Sequence, residues 1–113
     1  MTLQYGAFFP TRDMPADRVA IRDWAQAAEA IGFDYIEVSD HVLGADRTAI
    51  PGFEGPYDVD DSFHETFTTI AYMAAVTEKV GFASGVLILP QRQTALVAKQ
   101  AAQVDVLCGG RFR

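Results

Sequence analysis

Residues 21–41 read IRDWAQAAEAIGFDYIEVSDH, and this stretch decides the fold. In its first half, apolar residues recur at spacings of three and four, which is typical of a helix with one buried face. These residues are Ile21, Trp24, Ala25, Ala28 and Ile31. Gly32 predicts the left-handed residue that commonly ends a helix. Residues 33–38 are rich in aromatic and β-branched side chains, so a strand follows the helix directly.

The chain before this stretch follows the same alternation. Residues 3–9 form a short apolar run closed by Pro10, which predicts a buried strand. Pro15 suits the first turn of the helix, where its missing N–H is harmless. A strand, a helix and a second strand are therefore predicted before the pair Asp40-His41.

Further helix and strand signals follow after about 20 residues without a clear period. Ser62 and Glu65 match the S-x-x-E capping box, which predicts the start of a second helix. Residues 80–86 predict a third strand, and a third helix is predicted from about Thr94. Residues 111–113 then predict the start of a fourth strand.

This alternation of strands and helices predicts an α/β fold made of parallel βα units. A (β/α)8 TIM barrel needs about 250 residues. We therefore expect residues 1–113 to be a partial barrel domain, truncated at its C-terminus, with about three βα units and the start of strand 4. A small doubly wound sheet is the alternative, but its glycine-rich turn after the first strand is absent from residues 8–12.

Composition excludes several classes of protein. Of the 113 residues, 9 are basic, 15 are acidic and half are hydrophobic, which disfavours both a disordered chain and a nucleic-acid partner. No apolar run reaches the roughly 18 residues that a membrane span needs, and the first residues do not resemble a signal peptide. The single cysteine, Cys108, cannot form an internal disulfide. We expect a cytoplasmic protein with no membrane partner.

The segment between the second strand and the second helix is acidic and long for a βα loop. Residues 1–65 hold 13 acidic and 4 basic side chains, and part of this excess lies in residues 46–61. Two interpretations stay open at this point. The segment is either a solvated surface loop or a flap near a functional site.

Candidate functional residues lie where the predicted strands end, because the site of such barrels is at the C-terminal ends of the strands. Residues 8–10 offer apolar walls suited to a flat ring. Asp40 and His41 supply a carboxylate and an imidazole. Gly85, beside Val86, is where the backbone could approach a ligand closely. Each cluster has an alternative interpretation. The phenylalanines of residues 8–10 would be core packing, Asp40 and His41 would cap a turn, and Gly85 would be a simple bulge.

No metal site is predicted. Asp58 and Asp60 lack the glycine and the final glutamate of a calcium loop. His64 and Glu65 lack the second histidine of the HExxH motif. Cys108 lies on the apolar face of the third helix, so we expect it in the core.

Several short motifs together resemble bacterial luciferase-like monooxygenases, and in particular the branch of F420-dependent oxidoreductases. The first group reads YGAFFP at residues 5–10, AEAIGFD at 28–34 and SDH at 39–41. The second group reads GVLILP at residues 85–90, AKQAA at 98–102, VD at 104–105 and GGR at 109–111. Each motif is short, but their order and spacing match along nearly the whole chain.

The resemblance implies a (β/α)8 barrel that binds coenzyme F420, or alternatively FMN, and transfers hydride to or from an organic substrate. It implies that His41 is catalytic and lies near the reactive face of the cofactor, and that Asp40 contacts the cofactor. Gly85 and Val86 would match the strand-3 bulge that backs the ring, where the family carries a non-prolyl cis peptide. A small-molecule substrate is expected, and a homodimer of the full-length protein is one option.

Other functions remain open beside the F420-dependent oxidoreductase. They are an FMN-dependent luciferase-like monooxygenase, a catalytically incomplete barrel fragment, and a sugar-isomerase-like barrel, which residues 32–37 would also suit. The tryptophan that follows the histidine in sugar-phosphate-oxidising members is not apparent near Ala45 and Asp46. We therefore do not predict a sugar phosphate as the substrate.

Overall fold

Three βα units make up the computed structural model, which describes residues 2–113. The strands are β1 (Gly6–Phe8), β2 (Tyr35–Ser39) and β3 (Gly81–Val86). The helices are α1 (Arg18–Ile31), α2 (Thr66–Ala75) and α3 (Thr94–Leu107), with a short 3₁₀ helix (Leu89–Gln91) before α3. The strands form one parallel sheet in the order β1-β2-β3. The predicted order of elements is confirmed.

The predicted start of a fourth strand lies beside β3. Phe82 and Phe112 form an isolated parallel bridge. The N–H of Phe82 donates to the carbonyl of Arg111 (2.8 Å), and the N–H of Arg113 donates to the carbonyl of Phe82 (2.8 Å). The order of strands and the parallel pairing are those of consecutive units in a (β/α)8 barrel.

The hydrophobic core lies between the sheet and the helices. Ile36 and Val38 on β2 are completely buried against side chains of the helices, including Ile70 and Met73 of α2. The residue between the two strand positions, Glu37, is only partly buried, because successive side chains of a strand point to opposite faces. The helices thus cover one face of the sheet, and the other face is the one that a barrel places inside.

Two helix starts differ from the predictions. Helix α1 begins at Arg18, after Pro15, because the carboxylate of Asp17 accepts the N–H of Val19 (2.8 Å) and caps the helix. Helix α2 begins at Thr66, because the N-cap is Glu65 rather than Ser62. The predictions that Pro15 lies in the first turn of α1 and that Ser62 caps α2 are therefore wrong.

The predicted end of α1 and the predicted core residues of the helices agree with the structure, with one exception. Gly32 ends α1 with a φ of 98°, in the left-handed region. The predicted apolar face of α1 packs on the core except at Ile31, which is 74% exposed. Cys108 is buried, as expected for a core residue.

A partly buried arginine holds the end of the sheet opposite to the C-terminal ends of the strands. Arg111 donates five hydrogen bonds, to the carbonyls of Cys108, Val80, Ala74 and Thr77 and to the Thr77 hydroxyl, at 2.7–3.2 Å. Its guanidinium thereby joins the C-terminal ends of α2 and α3 to the start of β3. A cation is favourable there because helix C-termini carry partial negative charge.

Arg111→Lys should lower the free energy of unfolding of the whole protein by about 2 kcal/mol, because a lysine cannot serve five acceptors in a fork geometry. Denaturant unfolding measures the change. The matched control is Arg113→Lys, since exposed Arg113 makes a side-chain hydrogen bond only to Gln4. Equal stability of the two variants would contradict the assigned role of Arg111.

Candidate functional site

A cavity of about 490 Å³ lies at the C-terminal ends of β2 and β3. We call it the main cavity. Most of its lining is apolar or aromatic, and part of it comes from the β2–α2 loop (residues 40–65). The lining residues are Ser39, Asp40, His41, Leu43, Gly44, Ala45, Phe53, Pro56, Tyr57, Phe63, Val86 and Ile88. Three of the four sequence-predicted site residues, Asp40, His41 and Val86, are thus brought together.

His41 is held by aromatic packing. Its ring centroid lies 4.8 Å from that of Tyr57 and 5.4 Å from that of Phe63. The ring is partly buried and makes no hydrogen bond with any of residues 2–113. It also borders a second cavity of about 380 Å³, which lies toward the starts of α2 and α3. The imidazole nitrogens are therefore available to a ligand.

Asp40, in contrast, is saturated by donors from the protein itself. Its side chain is 1% exposed, and both of its oxygens accept a hydrogen bond from Arg92. The N–H of Ile88 donates to Oδ2 (3.0 Å), and the hydroxyl of Thr66 donates to Oδ1 (3.2 Å). A carboxylate has about four acceptor positions, so these four donors occupy it. Direct contact of Asp40 with a cofactor stays a prediction.

Arg92 connects Asp40 to a second carboxylate. Its Nη2 also donates to Glu65 Oε1 at 3.0 Å, and its guanidinium lies 5.4 Å from the centre of the Phe67 ring. Sequence reasoning did not find Arg92, Glu65 or Thr66 as partners of Asp40. They are separated from it by 25 to 52 positions, and no short motif links them.

The charge distribution favours the ionised forms of this group. Burial raises the pKa of Asp40, but the hydrogen bonds and charge of Arg92, together with those from Ile88 and Thr66, outweigh it and hold that pKa below its ordinary value. The pKa of Glu65 is also lowered, since hydrogen bonds from Thr68 outweigh its burial. Hydrogen bonds to Asp40 and Glu65 raise the pKa of Arg92.

Strand β3 is irregular at Gly85. Val38 pairs with Ser84 and Ser39 pairs with Val86, so Gly85 is the extra residue of a bulge. All peptide bonds between the described residues are trans, so the cis peptide implied by the resemblance is not present. A Cβ atom at position 85 would lie 2.2 Å from Oε1 of Glu37, so the glycine also makes room for that side chain. The bulge turns the end of β3 toward the main cavity.

The two phenylalanines at the end of β1 have different roles. Phe9 is completely buried and packs edge-to-face on Trp24, with centroids 5.3 Å apart. It is a core residue, so the expected ligand wall does not include it, because its position in the strand directs it toward α1. Phe8 is 59% exposed on the opposite face and lines a third cavity of about 240 Å³.

The β2–α2 loop is folded around Arg47. This side chain pairs with Asp58, donates to the carbonyls of Phe53 (3.2 Å) and Gly55 (3.1 Å), and lies over the Phe53 ring. The arrangement places Phe53 and Tyr57 on the wall of the main cavity. Of the two interpretations of this segment, a flap at a site fits better than a purely solvated loop.

Three arginines at this end of the sheet are paired with carboxylates. Arg12 binds Asp61, Arg47 binds Asp58 and Arg92 binds its two carboxylates. Among the described residues near the main cavity, no arginine is left free for an anionic group. The cavity therefore suits an uncharged ring better than a phosphate.

A cavity at the C-terminal ends of parallel strands, with a strand-3 bulge and a histidine after strand 2, is the arrangement expected at the ligand-binding edge of a (β/α)8 barrel. The family model for luciferase-like monooxygenases matches residues 3–113. The chain belongs to this family.

Comparison with individual proteins agrees with this assignment. An uncharacterized protein of Mycobacterium tuberculosis is 38% identical over 99 residues, and the match covers 77% of this chain and 32% of the relative. The chain thus spans about a third of the length of that curated relative.

Two solved structures share the fold. Coenzyme F420-dependent tetrahydromethanopterin reductase from Methanopyrus kandleri has a TM-score of 0.71 at 19% identity, over 99% of this chain and 26% of that one. Riboflavin lyase with modified FMN and the substrate riboflavin has a TM-score of 0.73 at 21% identity, over 99% of this chain and 29% of that one. The three βα units correspond to about a quarter to a third of these chains.

No helix in residues 2–113 has both the length and the apolar character needed to cross a membrane.

Asp40→Asn should destabilise the whole protein by about 3 kcal/mol at pH 7, because it leaves Arg92 buried without its main partner. Since the pKa of Asp40 is lowered in the folded state, the ionised carboxylate stabilises the fold above about pH 4 and loses this effect as the pH falls further. The difference in free energy of unfolding between wild type and Asp40→Asn should therefore become smaller as the pH falls.

Urea unfolding at a series of pH values measures this difference. Asp105→Asn is the matched control, because Asp105 is exposed on α3 and its side chain makes no hydrogen bond with the described residues. The prediction would be contradicted if wild type and Asp40→Asn had the same free energy of unfolding at pH 7, or if the difference between them did not change with pH.

Proposed function

We propose that the whole protein is an oxidoreductase that transfers hydride between coenzyme F420 and a small organic substrate. The observation that carries this proposal is the main cavity, whose walls are aromatic and apolar and whose lining includes the imidazole of His41, which makes no hydrogen bond with residues 2–113. Ligand pockets for flat rings have this composition, with few polar groups that fix orientation. The family's F420-dependent reductase from Methanopyrus kandleri supports the same cofactor class.

The residues present fit the ring of such a cofactor. Tyr57 and Phe63 supply flat apolar walls, and the bulge at Gly85 leaves the backbone beside Val86 exposed. They do not supply a site for its anionic tail, because the arginines near the cavity are paired with carboxylates. The tail must therefore be bound by groups other than these arginines.

Each part of the site has a separate task in this proposal. The bound deazaflavin supplies the centre that accepts or donates hydride. The loop residues Phe53 and Tyr57 cover the cavity and exclude water from it. His41 gives or takes the proton at the substrate atom that accompanies hydride transfer, a role in which histidine is the most frequent side chain.

An FMN-dependent monooxygenase is the second candidate function. It is supported by the family's description as luciferase-like monooxygenases and by the similar structure that holds a modified FMN. The ring of FMN has nearly the same shape, so the described cavity accommodates both. A catalytically incomplete barrel is the third candidate, and failure to bind either cofactor would favour it.

The whole protein should bind F420 more tightly than FMN, and fluorescence titration with each cofactor measures this. Val86→Trp should weaken binding by about 10-fold, because the indole would occupy the main cavity. Val106→Trp is the matched control, since Val106 is 73% exposed on α3 and does not line the cavity.

The titration separates the three candidates. Preferential binding of FMN would replace the first candidate by the monooxygenase. Binding of neither cofactor would favour the incomplete barrel. Equal binding by Val86→Trp and wild type would remove the main cavity from the cofactor site.

A further inference from the structure

We propose that Arg92 and Asp40 form a positioning pair, which fixes His41 and the exit of β3 in the geometry that the cofactor ring requires. This inference rests on the proposed function, since it concerns the same cavity. In this inference, Asp40 holds other parts of the protein in place and does not contact the cofactor directly.

The first step is the attachment of His41. Its ring makes no hydrogen bond within residues 2–113, so only the backbone and the rings of Tyr57 and Phe63 hold it. The backbone immediately before it is fixed at two points. The Thr66 hydroxyl lies within hydrogen-bond distance of both the carbonyl of Ser39 (3.1 Å) and Oδ1 of Asp40 (3.2 Å) and shares its one proton between them. Arg92 and Ile88 supply the other three hydrogen bonds to the carboxylate of Asp40.

The second step is the attachment of the exit of β3. The N–H of Ile88 donates to Asp40 Oδ2, to which Arg92 Nε also donates at 2.8 Å. Val86 and Ile88 line the main cavity together with residues of the β2–α2 loop. One carboxylate therefore holds both the segment that carries His41 and the segment that follows the bulge.

The third step is the dependence of Asp40 on Arg92. The Arg92 side chain is 10% exposed and supplies two of the four hydrogen bonds, and within residues 2–113 it is the only positively charged side chain that forms an ion pair with Asp40. A lysine in its place would keep a positive charge near the carboxylate but could not bind both of its oxygens at once, so the plane of the carboxylate would no longer be fixed. The carboxylate would then turn toward water in the main cavity, and His41 and Ile88 would move with it.

A purely structural arginine would lower stability without changing the cavity, and Arg111 is a control for that role. It is partly buried and makes five hydrogen bonds, but at the opposite end of the sheet. Arg92→Lys and Arg111→Lys are therefore a matched pair, because each keeps the charge and loses the planar fork.

The first readout is the NMR signal of the His41 imidazole in the whole protein, assigned with His41→Ala. Arg92→Lys should shift or broaden this signal, whereas Arg111→Lys should leave it unchanged. The imidazole of His64, which lies 2.9 Å from the carbonyl of Met14, should not change in either variant.

The second readout is the dissociation constant for F420 and for FMN. For the cofactor that wild type binds, Arg92→Lys should raise the dissociation constant by about 10-fold. Arg111→Lys should raise the same constant by less than about 2-fold. Because Arg92 acts through Asp40, Asp40→Asn and Arg92→Lys should not be additive. The double variant should bind within about 3-fold of the weaker single variant.

An unchanged His41 signal in Arg92→Lys, or additive effects of the two substitutions on binding, would overturn the inference. If wild type binds neither cofactor, the proposed function fails, and the His41 signal still decides whether the pair positions that ring. If Arg92→Lys does not fold, Thr66→Val removes one donor to Asp40 and should shift the His41 signal in the same direction. No shift there would count against the inference.

Discussion

The buried ion pair between Asp40 and Arg92 is the interaction on which the candidate site depends. Asp40 directly follows β2, and Arg92 lies between β3 and α3. The partners of the pair include the start of α2 through Thr66 and Glu65. One carboxylate thus joins two neighbouring strand ends and a helix start, at the edge of the sheet where barrel enzymes place their chemistry.

The network explains why a charged group is tolerated in this position. Burial of a lone carboxylate is strongly unfavourable, and replacement of such a pair by apolar residues is often neutral or stabilising. Stability alone is therefore a weak reason for its presence. A geometric reason is stronger, because a bidentate arginine fixes both the distance and the plane of the carboxylate.

The order of the elements was predictable from the sequence, and the contacts of the site were not. Helical and strand periodicities in residues 21–41 set the first two units, since each pattern depends only on neighbours in the chain. The bulge at Gly85 was anticipated from a glycine at a strand end, but the close approach of the Glu37 side chain depends on the pairing with β2. The partners of Asp40 come from other units, so no local pattern marks them.

Local signals also failed where two candidates competed for one task. Ser62 and Glu65 both suit a helix N-cap, and the choice of Glu65 follows from its hydrogen bond to the N–H of Thr68 (2.7 Å). Phe8 and Phe9 have the same side chain. Because successive side chains point to opposite faces of the sheet, the ring of Phe8 is exposed and that of Phe9 lies in the core.

The most direct test of the account is a crystal structure of the whole protein with the bound cofactor. The account predicts that the flat ring lies in the main cavity in van der Waals contact with His41, while Arg92 still binds both oxygens of Asp40. A ring bound elsewhere, or an Asp40 carboxylate that has left Arg92 to contact the cofactor, would contradict it.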